Sequence, residues 1–165
     1  MRKPVALALL FLALFLAGCE QKREKGEATK GEEPDFALQD TEGREVRLAD
    51  FRGKVVLLEF FATWCPPCRM AVPDMNQLNS SLKGKDVAIL AIAIGERMED
   101  VRGFAKEQGI TYTVLVDNEG VDSLYGVSTI PTTIILDKNG AVVARHLGYM
   151  PGYADVMTRE IEKLL

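Results

Sequence analysis

Two stretches of this sequence constrain its fold more than any other. Residues 54–61 read KVVLLEFF and residues 87–94 read VAILAIAI. Neither alternates apolar with polar side chains, as a strand with one face in water does. Near-continuous apolar runs of this length fit central strands covered on both faces. Such coverage needs helices, and the segments that follow each run have helical periodicity. After the first run, Ala71, Met75, Leu78 and Leu82 recur at helical spacing along one face. After the second, residues 98–108 place Val101, Phe104 and Ala105 inward, and Gly109 suits the position just past a helix end.

The flanking segments extend the pattern. Residues 36–38 and 46–48 read as short strands around a turn at 41–43. Residues 114–116 add another. Residues 132–136 and 141–146 flank Asp137-Lys138-Asn139-Gly140, a hairpin signal. A last helix starts near Pro151, with Tyr153, Val156, Met157, Ile161 and Leu164 on one stripe. Strands and helices in this order predict an α/β fold with a mixed central sheet flanked by helices. The pattern does not determine strand order. Of the 165 residues, 47% are hydrophobic, enough for one domain with a core. A net charge of −4, without a basic run, argues against nucleic-acid binding.

The domain is expected over residues 34–165. Before it, residues 20–33 read EQKREKGEATKGEE, with Ala28 the only apolar side chain. Such a segment buries too little surface to offset its ordering entropy and reads as a disordered tether of at most roughly 50 Å. Residues 1–18 carry Arg2, Lys3 and an apolar run of 13 residues. A bilayer-spanning helix needs about 17–25, so the run reads as a secretory signal. Its ending, Leu16-Ala17-Gly18-Cys19, resembles a bacterial lipobox. The resemblance implies cleavage before Cys19 and a diacylglycerol on its sulfur. The alternatives are an ordinary signal with an incidental cysteine, or an uncleaved anchor.

The chain has three cysteines. If Cys19 is lipidated, Cys65 and Cys68 remain as one isolated pair, inside FFATWCPPCRMAVP. A structural zinc site wants four ligands, and the chain offers one C-x-x-C and one histidine, His146. A staple closing so small a loop constrains the unfolded chain little. A reactive dithiol explains more, because the pair sits between a buried strand and a helix start. Helix N-termini favour thiolates, and the thiolate is the form that attacks disulfides. Cys65, nearer the exposed end, reads as the nucleophile and Cys68, one turn in, as the resolving thiol. Pro66 and Pro67 restrict the turn and remove two N–H donors.

Trp64-Cys65-Pro66-Pro67-Cys68 after an apolar strand resembles the thioredoxin superfamily. Pro73 stands where that family kinks its helix, and Ile130-Pro131-Thr132-Thr133 is similar to its cis-proline loop. The order Phe36…Asp40, residues 48–54 and then WCPPC resembles the TlpA/ResA-like branch of membrane-anchored bacterial thiol–disulfide oxidoreductases. Residues 87–109 match that branch's βα insertion, and the N-terminal strands match as well. The resemblance implies a thioredoxin-like fold, no cofactor, no metal and a monomer. It implies protein disulfide substrates such as apocytochrome c, a membrane thiol donor of the DsbD/CcdA type, and an extracytoplasmic location. It makes Trp64, Pro66, Pro67, Ile130 and Pro131 the docking surface, with the Ile130 backbone beside the sulfurs. Trp64 has a second reading, as a half-buried core side chain.

Glu59 interrupts the apolar run six positions before Cys65. A carboxylate there is costly unless neutralised or paired. It matches the buried aspartate of thioredoxin, which implies a proton acceptor for Cys68. The alternative is a strand-end glutamate that reaches solvent or a buried lysine. One departure stands out: many ResA-like reductases carry Glu three residues after the second cysteine, where this chain has Ala71. Arg69 reads as a solvated helix residue and His146 as structural or surface. Two other classes compete. A peroxiredoxin needs Thr or Ser three residues before its cysteine, where position 62 is Ala and Thr63 is one residue off. A Sco-type copper chaperone uses C-x-x-x-C with a distant His, one residue longer than here.

Overall fold

A computed structural model describes residues 34–165. The expectations for residues 1–33 (the signal, lipidated Cys19 and the tether) lie outside the described residues. The elements are β1 (Ala37–Asp40), β2 (Glu45–Arg47), a 3-10 turn (Leu48–Phe51), β3 (Val55–Phe61) and α1 (Pro66–Ser81). They continue with β4 (Val87–Ile94), α2 (Met98–Glu107), β5 (Thr113–Asp117), α3 (Val121–Leu124), β6 (Thr132–Leu136), β7 (Val142–Leu147) and α4 (Tyr153–Glu162). The seven strands form one sheet in the order β2-β1-β5-β4-β3-β6-β7. β3 runs parallel to β4 and β4 parallel to β5; the other pairs are antiparallel. This is the mixed α/β sheet that the resemblance implies.

The two apolar runs are β3 and β4, paired from Val55↔Val87 to Phe61↔Ala93 near the middle of the sheet. Every residue of β3 is buried. Val56, Leu58 and Phe60 face one core layer, closed by Leu48 of the 3-10 turn and by Val121 and Tyr125 around α3. Val55 and Leu57 face the other, under Met75 and Leu78 of α1 and Met157 and Ile161 of α4. Phe61 continues that second face beneath α1 and α2, beside Cys65, Cys68, Val72 and Phe104. Continuous hydrophobicity in β3 therefore reflects coverage on both sides.

The first strand pair differs from its expected limits. β1 extends to Asp40, and Leu48 belongs to the 3-10 turn rather than to β2. Asp40 is the cause. Its buried carboxylate accepts the N–H groups of Glu42 and Arg44 at 2.9 Å each, and the Arg44 Nε at 2.8 Å. Burial pushes this carboxyl up, but the donors from Arg44 and Glu42 outweigh burial and hold it below the usual range. At the other end of the chain, Gly152 takes φ +74° and α4 begins at Tyr153, with Pro151 in the preceding turn. β7 runs one residue later than expected because its register slips at a bulge opposite Ile135/Leu136. The four-residue α3 was not foreseen, being too short for a period to show.

Asp117 sets the path from β5 into α3. It is buried, and its carboxylate accepts N–H groups from Glu119 and Gly120 at 2.9 Å and from Asp122 at 3.0 Å. Asp117→Ala leaves these donors unpartnered. We expect it to cost about 2 kcal/mol in urea unfolding, with Asp117→Asn recovering part of the loss. Equal stability of the alanine variant and the parent would show that water replaces the carboxylate without cost.

Candidate active site

The site lies where β3 ends and α1 begins. Cys65 is the N-cap of α1, with φ −84° and ψ 114°, and Pro66 and Pro67 occupy the first helical positions. Neither proline carries an N–H, so the first amide donor of the helix is that of Cys68. It points at Cys65 Sγ, 3.4 Å away. The two cysteines are joined by a disulfide, with Cα atoms 5.3 Å apart. When the pair is reduced, a thiolate on Cys65 sits at the positive end of a 16-residue helix with one N–H already aimed at it. Exposure does not separate the two sulfurs as expected: Cys65 is 4% exposed and Cys68 2%. Position does. Cys65 stands outside the helix and Cys68 inside its first turn.

The loop before β6 closes over the pair. The Ile130–Pro131 peptide bond is cis, and the Ile130 carbonyl oxygen lies 4.0 Å from Cys65 Sγ. Trp64 is 71% exposed, so it is not a core side chain. It lines a groove of about 210 Å³ with Ala62, Ile94, Val127, Thr129 and Ile130. Met70 and Leu147 are also exposed. Leu147 pairs with Thr132, and Gly148 N–H donates to the Pro131 carbonyl at 2.7 Å. Exposed apolar side chains thus stand on the segment before Cys65, on α1 and on β7, and Ile130 of the loop before β6 packs with the buried cysteines.

Glu59 is 3% exposed. A strand-end glutamate reaching solvent is therefore ruled out, and no ion pair holds it among the described residues. Burial raises its carboxyl to about 8. It projects from the same sheet face as Leu57 and Phe61, the face covered by α1, and pairs in register with Ala91 and Thr133. The Thr133 and Tyr153 hydroxyls are hydrogen-bonded to each other. The phenols of Tyr112 and Tyr153 lie within electrostatic reach. Burial first, and the Glu59 charge second, push both above the ordinary tyrosine range.

Arg69 is engaged by neighbours other than the sulfurs. Its guanidinium donates to the Thr63 carbonyl at 3.2 Å, lies 3.9 Å from Glu107 and stacks 5.1 Å from the Phe104 ring centroid. His146 Nε2 lies 2.8 Å from Glu160 Oε2, in agreement with a structural role. Ala71 lies on the buried face of α1, so the glutamate that many ResA-like reductases carry here has no counterpart. Sequence reasoning missed Glu96. One of its oxygens accepts the Thr63 N–H at 2.8 Å and the other the Thr63 hydroxyl at 2.5 Å. It thereby anchors the turn that leads into Cys65. No spacing signal marks it, because the loop after β4 reaches the turn only through the parallel pairing of β3 and β4.

A family model described as AhpC/TSA matches residues 30–145. The chain belongs to the AhpC/TSA family. Within this thioredoxin-like family, it is 46% identical over 110 residues to a protein named thiol-disulfide oxidoreductase ResA from Geobacillus thermodenitrificans. That match covers 66% of the chain and 63% of the relative, so it spans less than two thirds of the relative's length. A ResA of Bacillus cereus is 36% identical over 153 residues, covering 87% of this chain and 88% of the relative. A crystal structure of a putative thiol:disulfide interchange protein DsbE from Chlorobium tepidum superposes with a TM-score of 0.75 at 36% identity. It covers 82% of this chain and 97% of that one. The AhpC/TSA chain therefore has the thioredoxin-like fold. No helix among the described residues is long and apolar enough to cross a membrane.

Proposed function

We propose that this protein is an extracytoplasmic thiol–disulfide oxidoreductase, tethered by lipid on Cys19, that reduces disulfides of exported proteins. The observation that carries the reading is a Cys65–Cys68 disulfide capping α1 beside the Ile130 carbonyl. The relatives named thiol-disulfide oxidoreductase ResA support it. In the reduced protein, the Cys65 thiolate attacks a substrate disulfide and releases one substrate thiolate. The Cys68 thiolate then attacks the mixed disulfide, releases the second substrate thiol and restores the Cys65–Cys68 disulfide. Two electrons pass from the protein to the substrate. Glu59 takes the proton that Cys68 loses. With its carboxyl at about 8, against about 8.5 for a free thiol, the proton crosses readily in either direction.

The backbone of Ile130 pairs with an extended substrate as an added strand does. Trp64, Pro66, Pro67 and Pro131 complete the docking face. A membrane thiol donor of the DsbD/CcdA type re-reduces the pair. Apocytochrome c is one substrate of suitable chemistry. The competing readings lose ground in the geometry. Position 62 carries no hydroxyl, and that of Thr63 is held by Glu96, which weighs against a peroxidase. His146 is engaged by Glu160, which weighs against a copper chaperone.

The test is the reduction potential of the pair, read by Trp64 fluorescence during equilibration with dithiothreitol or glutathione. A reductase that needs a membrane donor should lie near or below about −250 mV. A value above about −180 mV would instead indicate an oxidase or isomerase. Absence of a reversible couple would end the oxidoreductase reading.

A further inference from the structure

The groove beside Trp64 contains one feature that an apolar docking face does not need. Asp122, half-buried in the first turn of α3, is among its lining residues. Its backbone N–H donates to Asp117, but its own carboxylate accepts no hydrogen bond and joins no ion pair among the described residues. The two neighbouring acids are different. Asp117 is saturated by three backbone N–H groups, and both Glu96 oxygens are held by Thr63. On the other side of the dithiol, Arg69 is held by Thr63, Glu107 and Phe104. The groove thus has mostly apolar walls, a strand-pairing edge at Ile130 and one negative charge without a partner among the described residues.

We infer that Asp122 is a specificity determinant. It selects polypeptide disulfides that carry a Lys or Arg one or two residues from the cysteine joined to Cys65. The inference rests on the thiol–disulfide reading and names the substrate class of that site. A chain lying along Ile130 places alternate side chains toward the Trp64 groove, so a neighbour of the bound cysteine enters it. The stem of Lys or Arg covers apolar surface while its charged end meets a carboxylate. An acidic neighbour instead meets like charge in a partly desolvated site, which disfavours it.

The experiment uses the reduced protein and two disulfide-bridged peptides, identical except for Lys or Glu next to one cysteine. The uncharged 2-hydroxyethyl disulfide serves as a third substrate. The readout is the ratio of second-order rate constants, Lys peptide over Glu peptide. At low ionic strength we expect a ratio of about two to five, the scale of a partly exposed ion pair. It should fall toward one in 1 M salt. Asp122→Asn should bring the ratio to about one, Asp122→Lys should invert it, and Asp122→Glu should restore it. The salt dependence of the unmodified protein tests the charge even if a variant fails to fold. A ratio near one in the parent, or a ratio unchanged in Asp122→Asn, overturns the assignment while reduction of the neutral disulfide leaves the oxidoreductase reading intact. If no disulfide reacts, that reading fails and the specificity assignment falls with it.

Discussion

Replacing Cys68 with serine should turn the protein into a trap for its own substrates. Cys65 remains at the helix cap with the amide of residue 68 aimed at its sulfur. Attack on a substrate disulfide proceeds, and the mixed disulfide accumulates because no second thiol displaces it. Turnover should fall by about four to six orders of magnitude, the scale seen when one member of a covalent catalytic set is deleted. Non-reducing electrophoresis and mass spectrometry should find adducts on Cys65 that dithiothreitol releases. Cys65→Ser should lose turnover equally but form no adducts. If Cys65→Ser is the variant that accumulates adducts, the roles of the two cysteines are reversed. The prediction depends on position, since the two sulfurs are almost equally buried.

The second large effect belongs to Glu59. Its carboxyl ionises near 4.5 in the unfolded chain and at about 8 when folded, because burial penalises the charge. Between these values the folded protein binds more protons than the unfolded one. Stability therefore falls as pH rises from 4.5 to about 8 and levels off above. Each pH unit in that window costs about 1.4 kcal/mol. At pH 7 the accumulated cost is about 3 kcal/mol. Glu59→Gln removes the titration while keeping the shape. It should be more stable than the parent at pH 7 by about that amount and nearly equal to it below pH 4.5. Urea unfolding of the oxidised proteins from pH 4 to 9 measures this directly. The groups facing Glu59 do not blur the comparison: Thr133 does not titrate, and Tyr112 and Tyr153 stay neutral throughout. A difference independent of pH would show that the carboxylate is solvated through a route not seen here. If Glu59 also accepts the Cys68 proton, the stabilised variant should release mixed disulfides more slowly. A residue retained at a stability cost and at a kinetic gain is what a working acid–base group looks like.

Other features of the site were legible for local reasons. A carboxylate inside VVLLEFF must be buried if the strand is central, and the burial of all seven β3 residues bears this out. Cys65 at a helix cap follows from a strand, two prolines and a periodic run in sequence. Trp64 was ambiguous because an indole serves equally well in a core or on a docking face. Its exposure excluded the core reading. Element limits shifted where a side chain intervened, as Asp40 did at the first turn.

By itself, the sequence determined the longer strands and helices, the two core strands, the dithiol at a helix start and an acid in the core, but not α3 or the 3-10 turn. These follow from hydrophobic periodicity and turn chemistry, which act between residues close in the chain. Only the tertiary structure decided the strand order, the Glu96 anchor on Thr63, the approach of the Ile130 carbonyl to Cys65 and the place of Asp122 in the groove beside Trp64. Each of these joins segments far apart in sequence, brought together by the parallel β3–β4–β5 pairing and the antiparallel return of β6. Periodicity places a residue on a face of its own element; it does not say which other element will cover that face.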